Sequence, residues 1–418
     1  MSEILNIINS ISGECECGLC HKTAIKDIQI ASGLVNKVGD ILKSNNFPKN
    51  ILLVADKNTL AAANGIVESL NGFDVSFLVY DNLRVAKMEH VEEIEALING
   101  KDIAVLSVGT GSVNDPCRLA TARQDKKLCI FATAPSMDGF ASYGAPIVAG
   151  GFKSSYPAKS PEVIIGDTKI LANAPSELKS SGFGDMIAKY IGLVDWKISH
   201  ILTGEVYCEK VANLTKSAVD ELMIMADKVT LNDEYTAGKI FEALLKTGVG
   251  MSFMQNSRPA SGAEHMVAHL IECIELQKDI VPNFHGDDVG VSTLALSKYY
   301  SELAKMPSVR AKYEEVDWQD VYNFYGEMSG EVKKLNHPEN IIDAVKPEKI
   351  EELWPEIVKI INSVPSYNEC KNAMEKAGCK ITPADIGKDE KFFNDCIKYS
   401  PFMRKRLTLL RMDGMIIK

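Results

Sequence analysis

Three of the chain's seven histidines, His265, His269 and His285, fall within 21 residues. His265 and His269 stand four apart in "SGAEHMVAHLIE" (261–272), on one face of a helix, so both rings can address one site. Met266 and Val267 follow His265, so the glutamate base of an H-E-x-x-H zinc protease is missing. His285, in "NFHGDDVGVST" (283–293), precedes Gly286 at a break just before a helix. An acid stands upstream: Asp185 in "SSGFGDMIAKYIGLVDW" (180–196) follows two glycines and opens an apolar helix. One carboxylate and two imidazoles with positions left open make a catalytic arrangement for a divalent ion. The plainer alternatives are a first-turn acid complementing its helix dipole, for Asp185, and a satisfied core or surface pair, for His265 and His269.

A second group of ligand types lies in "ECECGLCHKT" (14–23): Cys15, Cys17, Cys20 and His21. Its spacing, C-x-C-x2-C-H, is too compressed for four ligands to surround one tetrahedral ion, and no second C-x-x-C pair supports it. It reads as a turn-rich lead-in with reduced thiols, with a structural or adventitious zinc as the minor alternative. The other seven cysteines, Cys208 among them, are scattered singly and read as small buried apolar residues.

Phosphate-type chemistry is carried by "LSVGTGSVNDPCR" (106–118), which leaves a strand through Gly109 and Gly111 and enters a helix. Glycine lets backbone approach a phosphate, a helix N-terminus favours negative charge, and Thr110 and Ser112 add hydroxyls. The pattern is G-x-G-x-x-N, with Asn114 where a dinucleotide fingerprint has its third glycine, so a tight strand–helix turn is an equal reading. Asp56, closing "VAD", suits either an adenosine ribose or a helix N-cap. "FATAPSMDGFASYGAP" (131–146) packs Thr133, Ser136, Asp138 and Ser142 among small residues, which suits a ligand-lining loop.

These residues need a frame. Apolar runs at 51–56, 75–80, 102–109, 128–133 and 162–167 alternate with helix-like segments at 58–71, 88–100 and 112–124, the pattern of a parallel, Rossmann-like sheet with helices on both faces. The last run follows "GFKSSYPAKSP", taken as a loop. Beyond residue 170 helical periods take over: 183–203, 206–227, 231–256, 261–280, 287–306, 317–333 and 368–378. The chain of 418 residues therefore reads as an α/β nucleotide-binding domain (1–170) and an all-α domain (171–418), with the ligand site in the cleft beyond the strand ends. A net charge of −10 argues against nucleic acid or an anionic membrane as the main partner. No secretory signal or membrane-spanning run is read, and ten unsignalled cysteines point to a cytoplasmic protein.

Together, "GFGDMIAKYIGLVDW", "SRPASGAEHMVAHLIE" and "HGDDVGVST" resemble the metal-dependent NAD(P)-linked polyol dehydrogenases of the dehydroquinate-synthase-like superfamily. Within it, "TAPSMDGFASYGAPI" and the C-terminal "AGCKITPADIGKDEKFFNDCIKYSPFMRKRLTLL" are similar to the sn-glycerol-1-phosphate dehydrogenase family, its bacterial branch most of all, from about residue 28 to the C-terminus. The resemblance implies Asp185, His265 and His285 as metal ligands, with Asp185 also at the substrate, and His269 and Asp138 as substrate-contacting, catalytic residues. It implies Gly111, Ser112, Val113, Asn114 and Asp115 as the pyrophosphate loop, further cofactor contacts from Thr133, Ala134, Pro135, Ser136 and Ser142, and Asp56 as the adenosine-end acid. It also implies NAD(H) and/or NADP(H), one divalent ion per subunit (zinc, nickel or iron), a homodimer, and reduction of dihydroxyacetone phosphate to sn-glycerol 1-phosphate. The glycine loop departs from the family in reading G-T-G-S where many relatives have three glycines, and the N-terminal cysteines lie outside the family site.

Lys153 and Arg258 are the bases considered for the substrate phosphate. Competing expectations are a glycerol dehydrogenase acting on unphosphorylated glycerol or dihydroxyacetone, and a non-enzymatic, zinc-organised binding protein centred on Cys15–His21. A sugar-phosphate cyclase is weaker, because no extra cluster of lysines and arginines is evident.

Overall fold

A computed structural model describes residues 3–417. Six short strands form one parallel sheet: β1 (Asp27–Ala31), β2 (Asn50–Asp56), β3 (Asp74–Tyr80), β4 (Ala104–Gly109), β5 (Leu128–Ala132) and β6 (Val163–Asp167). Their order is β1-β6-β5-β4-β2-β3, parallel throughout, with pairs such as Leu53↔Leu106 and Val108↔Phe131 fixing the register. Alternation along the strands sorts side chains onto two faces. Leu52, Val54, Val105, Ile130 and Ile164 enter one core, while Ile51, Leu53, Leu106, Phe131 and Ile165 enter the other. A sheet buried on both faces explains why these runs read as continuously apolar.

Parallel strands put their C-terminal ends on one side. The chain leaves β2 toward β3 on one flank, while β4 lies on the other, which makes the β2–β4 boundary the switch point where a crevice opens. Helix α2 (Gly111–Arg123) starts beside it, directly after β4. The segment expected as one helix at 58–71 is two short ones, Lys57–Ala62 and Ile66–Ser69, because Gly65 (φ +98°) interrupts it. The expected loop "GFKSSYPAKSP" is instead largely the second strand of an antiparallel hairpin, Gly144–Ala149 against Phe152–Pro157. Gly150 and Gly151, both at positive φ, form its two-residue turn, a geometry that favours glycine.

From Thr168 onward helices dominate. The helices that matter for the site are α3 (Ser176–Ile187), α4 (Lys189–Thr203), α5 (Glu209–Met223), α6 (Glu234–Met254), α7 (Ala263–Gln277) and α8 (His285–Leu303). Of these, α4, α7 and α8 pack with Trp354, Tyr325 and the segment around Leu407 into a separate large core, while α3, α5 and α6 share another around Phe183, Leu222 and Leu244. At the other end of the chain the helix Glu3–Ile11 buries Ile4 and Ile8 and is followed by a two-residue ladder, Gly13–Glu14 against Cys20–His21. No helix among the described residues is long and apolar enough to cross a membrane.

Candidate active site

A cleft of about 1510 Å³ runs between the C-terminal ends of the strands and the helices that follow. Close backbone approach builds its floor. A Cβ on Gly182 would lie 1.9 Å from the Pro135 carbonyl oxygen, and one on Gly286 would lie 1.8 Å from that of Ser181. Glycine at these two positions lets α3 touch both the 133–138 loop and the start of α8. Asp185, Asp138 and His285 are thereby drawn to one place.

Asp185, His265 and His285 present ligand atoms within 4.8 Å of one another. His265 Nδ1 lies 2.6 Å from Glu264 Oε1, and His285 Nδ1 lies 3.0 Å from Glu272 Oε1. Each buried carboxylate accepts the Nδ1 proton, so each ring turns an Nε2 lone pair inward, the usual outer-shell arrangement of metal-binding histidines. His265 Nε2 is 3.5 Å from Asp185 Oδ1, near the edge of about 3.4 Å spanned by nitrogen and oxygen on one tetrahedral divalent ion. The donor set therefore fits such an ion.

Lys189, four residues after Asp185 and fully buried, reaches Asp185 Oδ1 at 2.6 Å and Asp138 Oδ2 at 2.7 Å. Burial alone would lower its pKa, but the two carboxylates reverse this and raise it. Burial would likewise raise Asp185, yet Lys189 and the neighbouring histidines hold it well below the ordinary carboxylate range. Its Oδ2 accepts the Asp138 backbone N–H at 2.9 Å. Asp185 is completely buried and lies beneath the residues that line the cleft.

His269 lies beside both rings, with centroids 6.1 Å from His265 and 5.4 Å from His285. Arg404 donates to its Nδ1 at 2.8 Å. A guanidinium only donates, so Nδ1 carries the lone pair and Nε2 carries the proton. Burial first, and then the Arg404 charge, push the His269 pKa well below its ordinary value. The ring is a neutral N–H donor facing the cleft.

At the other end of the cleft, Thr110 is the N-cap of α2 and makes no side-chain cap bond. The amides of Gly111 and Ser112 have no partner four residues back in their own helix, so this end accepts an anion. Thr110, Gly111, Ser112, Asp115, Thr133, Ala134, Ser136, Asp138, Ser142 and Asp56 all line the cleft, which suits a dinucleotide. Three expected contacts do not. Val113 and Asn114 are buried beneath the turn, with both amides bonded to Thr110 O and the Asn114 carboxamide held by Ser107 and the Gly109 carbonyl. Pro135 faces α3 at Gly182 rather than the cleft. Asp56 is a helix N-cap that borders the cleft: Oδ1 caps the next helix through Thr59 N at 2.8 Å and Oδ2 accepts Leu83 N at 3.2 Å.

Of the two bases considered for a phosphate, Lys153 lines the cleft, paired with Glu272 at 2.6 Å. Arg258 does not: it is buried, holding Glu205 with Nε and Nη2 and the Leu407 carbonyl with Nη1. Arg404, Lys405 and Arg406 border the cleft in its stead. Lys189 was detectable as an i, i+4 partner of Asp185, and Glu272 as two helical turns from His265. Arg404 meets His269 across 135 residues, a distance no local pattern signals.

A family model described as iron-containing alcohol dehydrogenase matches residues 29–175. The chain is 29% identical to a glycerol-1-phosphate dehydrogenase (NAD(P)+) of Halalkalibacterium halodurans, over 98% of both chains. It is 32% identical to the protein of the same name from Bacillus subtilis, over 67% of this chain and 73% of that one. Among solved structures, an NADH-dependent butanol dehydrogenase A from Thermotoga maritima superposes with a TM-score of 0.61 at 16% identity, covering 95% of this chain and 94% of that one. This last likeness speaks for the fold alone.

Proposed function

We infer the activity from one premise, that this chain belongs to the glycerol-1-phosphate dehydrogenase family. It is an NAD(P)-dependent, metal-dependent oxidoreductase that reversibly reduces dihydroxyacetone phosphate to sn-glycerol 1-phosphate. Asp185, His265 and His285 would hold a divalent ion whose chemistry would be Lewis-acid polarisation of the substrate oxygens, and a bound nicotinamide would be the hydride source.

The chain's own residues do the rest. Arg404 and Arg406, with Lys153, ring the cleft on the side of His269 and carry the positive charge that a phosphate requires. That basic group is the observation that favours a phosphorylated substrate over free dihydroxyacetone. His269, held as a neutral Nε2–H donor by Arg404, hydrogen-bonds the substrate oxygen and orients it. Asp138, carried on the loop over Asp185, accepts a substrate hydroxyl, while Lys189 holds Asp138 and Asp185 at fixed spacing. The open amides at the start of α2 take the cofactor pyrophosphate, with Thr133, Ser136 and Asp56 along its length.

This reading carries a cytoplasmic homodimer. The edge strand β3 exposes Phe77 and Val79, a surface suited to a second subunit, and light scattering on the purified protein checks it. The activity is tested by stripping the enzyme, restoring single ions, and following NADH and NADPH oxidation with dihydroxyacetone phosphate and with dihydroxyacetone. Product of sn-1 configuration formed only from the phosphate is expected. Equal turnover of both ketones would replace this reading with glycerol dehydrogenase.

A further inference from the structure

We propose that Cys15, Cys17, His21 and Cys208 form a second, structural metal site: a tetrahedral Cys3His zinc centre that staples the N-terminal segment to the helical half of the molecule. Sequence spacing argued against zinc because it counted Cys20 as the fourth ligand. Cys20 and His21 are neighbours in a strand, so their side chains point to opposite sides of the ladder. His21 is fully buried, whereas Cys20 stands beside Glu14 and is partly exposed. The fourth ligand is Cys208, the N-cap residue of α5, which lies 187 residues away in sequence from His21.

Three of the six edges between the ligand atoms match those of a metal tetrahedron. Zinc with bonds of about 2.3 Å to sulfur and 2.0–2.1 Å to nitrogen demands S···S edges of about 3.8 Å and S···N edges of about 3.5 Å. Cys15 Sγ and Cys208 Sγ are 3.8 Å apart, Cys17 Sγ and His21 Nε2 are 3.5 Å apart, and Cys208 Sγ and His21 Nε2 are 3.3 Å apart. All four atoms lie within 4.8 Å of one another. The sulfur separation is far beyond the roughly 2.05 Å of a disulfide.

The outer shell completes the argument. His21 Nδ1 is 3.2 Å from the Phe253 carbonyl oxygen. A carbonyl only accepts, so Nδ1 carries the proton and Nε2 turns its lone pair toward the three sulfurs, as in zinc-bound histidines. Phe253 belongs to α6, so this bond orients the ring from the helical side. Gly18, at φ +86°, closes the tight turn between Cys15 and Leu19, and Cys15 N bonds the Leu19 carbonyl.

Such a staple answers a physical need. A nine-residue helix and a two-residue ladder have little cooperative stability of their own. Zinc binding by three thiols, which releases their protons, converts metal affinity into ordering of this segment. The set is independent of the catalytic ligands, none of which is a cysteine.

The full chain, stripped and reloaded with cobalt(II), tests the site. Thiolate-to-cobalt charge-transfer absorption with intense tetrahedral ligand-field bands is expected, a signature that cobalt at Asp185, His265 and His285 does not give. Zinc analysis should show Cys208→Ala losing one equivalent per chain together with the thiolate band and a lower melting temperature, while Cys20→Ala keeps all three. If Cys208→Ala does not fold, alkylation of the natural chain reads the same ligands: Cys15 and Cys17 react only after chelation, Cys20 both before and after. Absence of the thiolate band, dependence of the band on Cys20, or a metal-free chain two hydrogens lighter through a Cys15–Cys208 disulfide would each overturn the proposal.

Discussion

Among the described residues, two regions gather side chains that could hold a metal, and they differ in kind. Around Asp185, His265 and His285 there are three ligand groups, two buried carboxylates behind the rings, and a cleft of about 1510 Å³ in front. Around Cys15, Cys17, His21 and Cys208 there are four ligand groups and a backbone carbonyl behind the ring, and none of the four lines that cleft. An open coordination position leaves room for substrate; a closed one leaves only cohesion. Density of cysteine and histidine in the sequence points to the second cluster, yet ligand count and access favour the first for the proposed chemistry.

The comparison can be broken in order of expected effect. Asp185→Ala should reduce turnover by about 10³-fold or more, because Lewis-acid stabilisation worth several kcal/mol is removed. The thiolate–cobalt band should survive that change, and steady-state kinetics beside the cobalt spectrum measures both. Wild-type turnover in Asp185→Ala would erase the distinction between the two sites. Next, Arg406→Ala should raise KM for dihydroxyacetone phosphate by roughly 10–100-fold, the range for charge-assisted hydrogen bonds, and leave dihydroxyacetone unaffected. An equal effect on both ketones would remove the phosphate argument.

Glu272→Gln sharpens the role of the outer shell. Glu272 is pulled down to about 2, against the effect of burial, by Lys153 and His285. Its neutral replacement should weaken metal binding by about tenfold or more, read by competition with a chromogenic chelator. The same titration separates the sites in time: activity should disappear before zinc leaves the thiols, since only one site is open to a chelator.

The smallest effect is a pH slope. His269 is held neutral in the fold, with its pKa well below the ordinary 6.5. Below pH 6.5 the unfolded chain binds a proton there that the folded chain does not, so the contribution to stability is complete above that pH and lost as pH falls, by up to about 1.4 kcal/mol per unit. Thermal unfolding between pH 5 and 8 should show a shallower acid slope in His269→Gln than in the natural chain. An unchanged slope would mean that burial and Arg404 do not hold the ring neutral.

Much of the frame was legible locally. β2, β4, β5 and β6 follow their apolar runs because a strand buried on both faces has no polar alternation to hide it. The His265–His269 spacing announced a shared helical face, but Asp185, expected to open a helix after two glycines, lies in the last turn of α3, where those glycines serve close backbone contacts instead. The hairpin at 144–157 escaped because its polar outer strand, "FKSSYP", has a loop's composition, and Gly150–Gly151 has a loop's permissive backbone. Val113, Asn114 and Pro135 were placed at the cofactor by their motif, yet a turn has an inside and an outside that the motif does not distinguish.

By itself, the sequence determined most strands of the parallel sheet and the α/β-then-helical order and singled out the Asp–His–His set, since each depends on periodicity, glycine placement or residue type within one or two elements. Only the tertiary structure decided which distant partners meet: Arg404 at His269, Arg258 withdrawn to Glu205, and Cys208 in place of Cys20 beside His21. The reason is physical. Contacts between elements far apart in the chain are set by how helices pack across a shared core, and side-chain periodicity within an element says which face is buried but not what it meets.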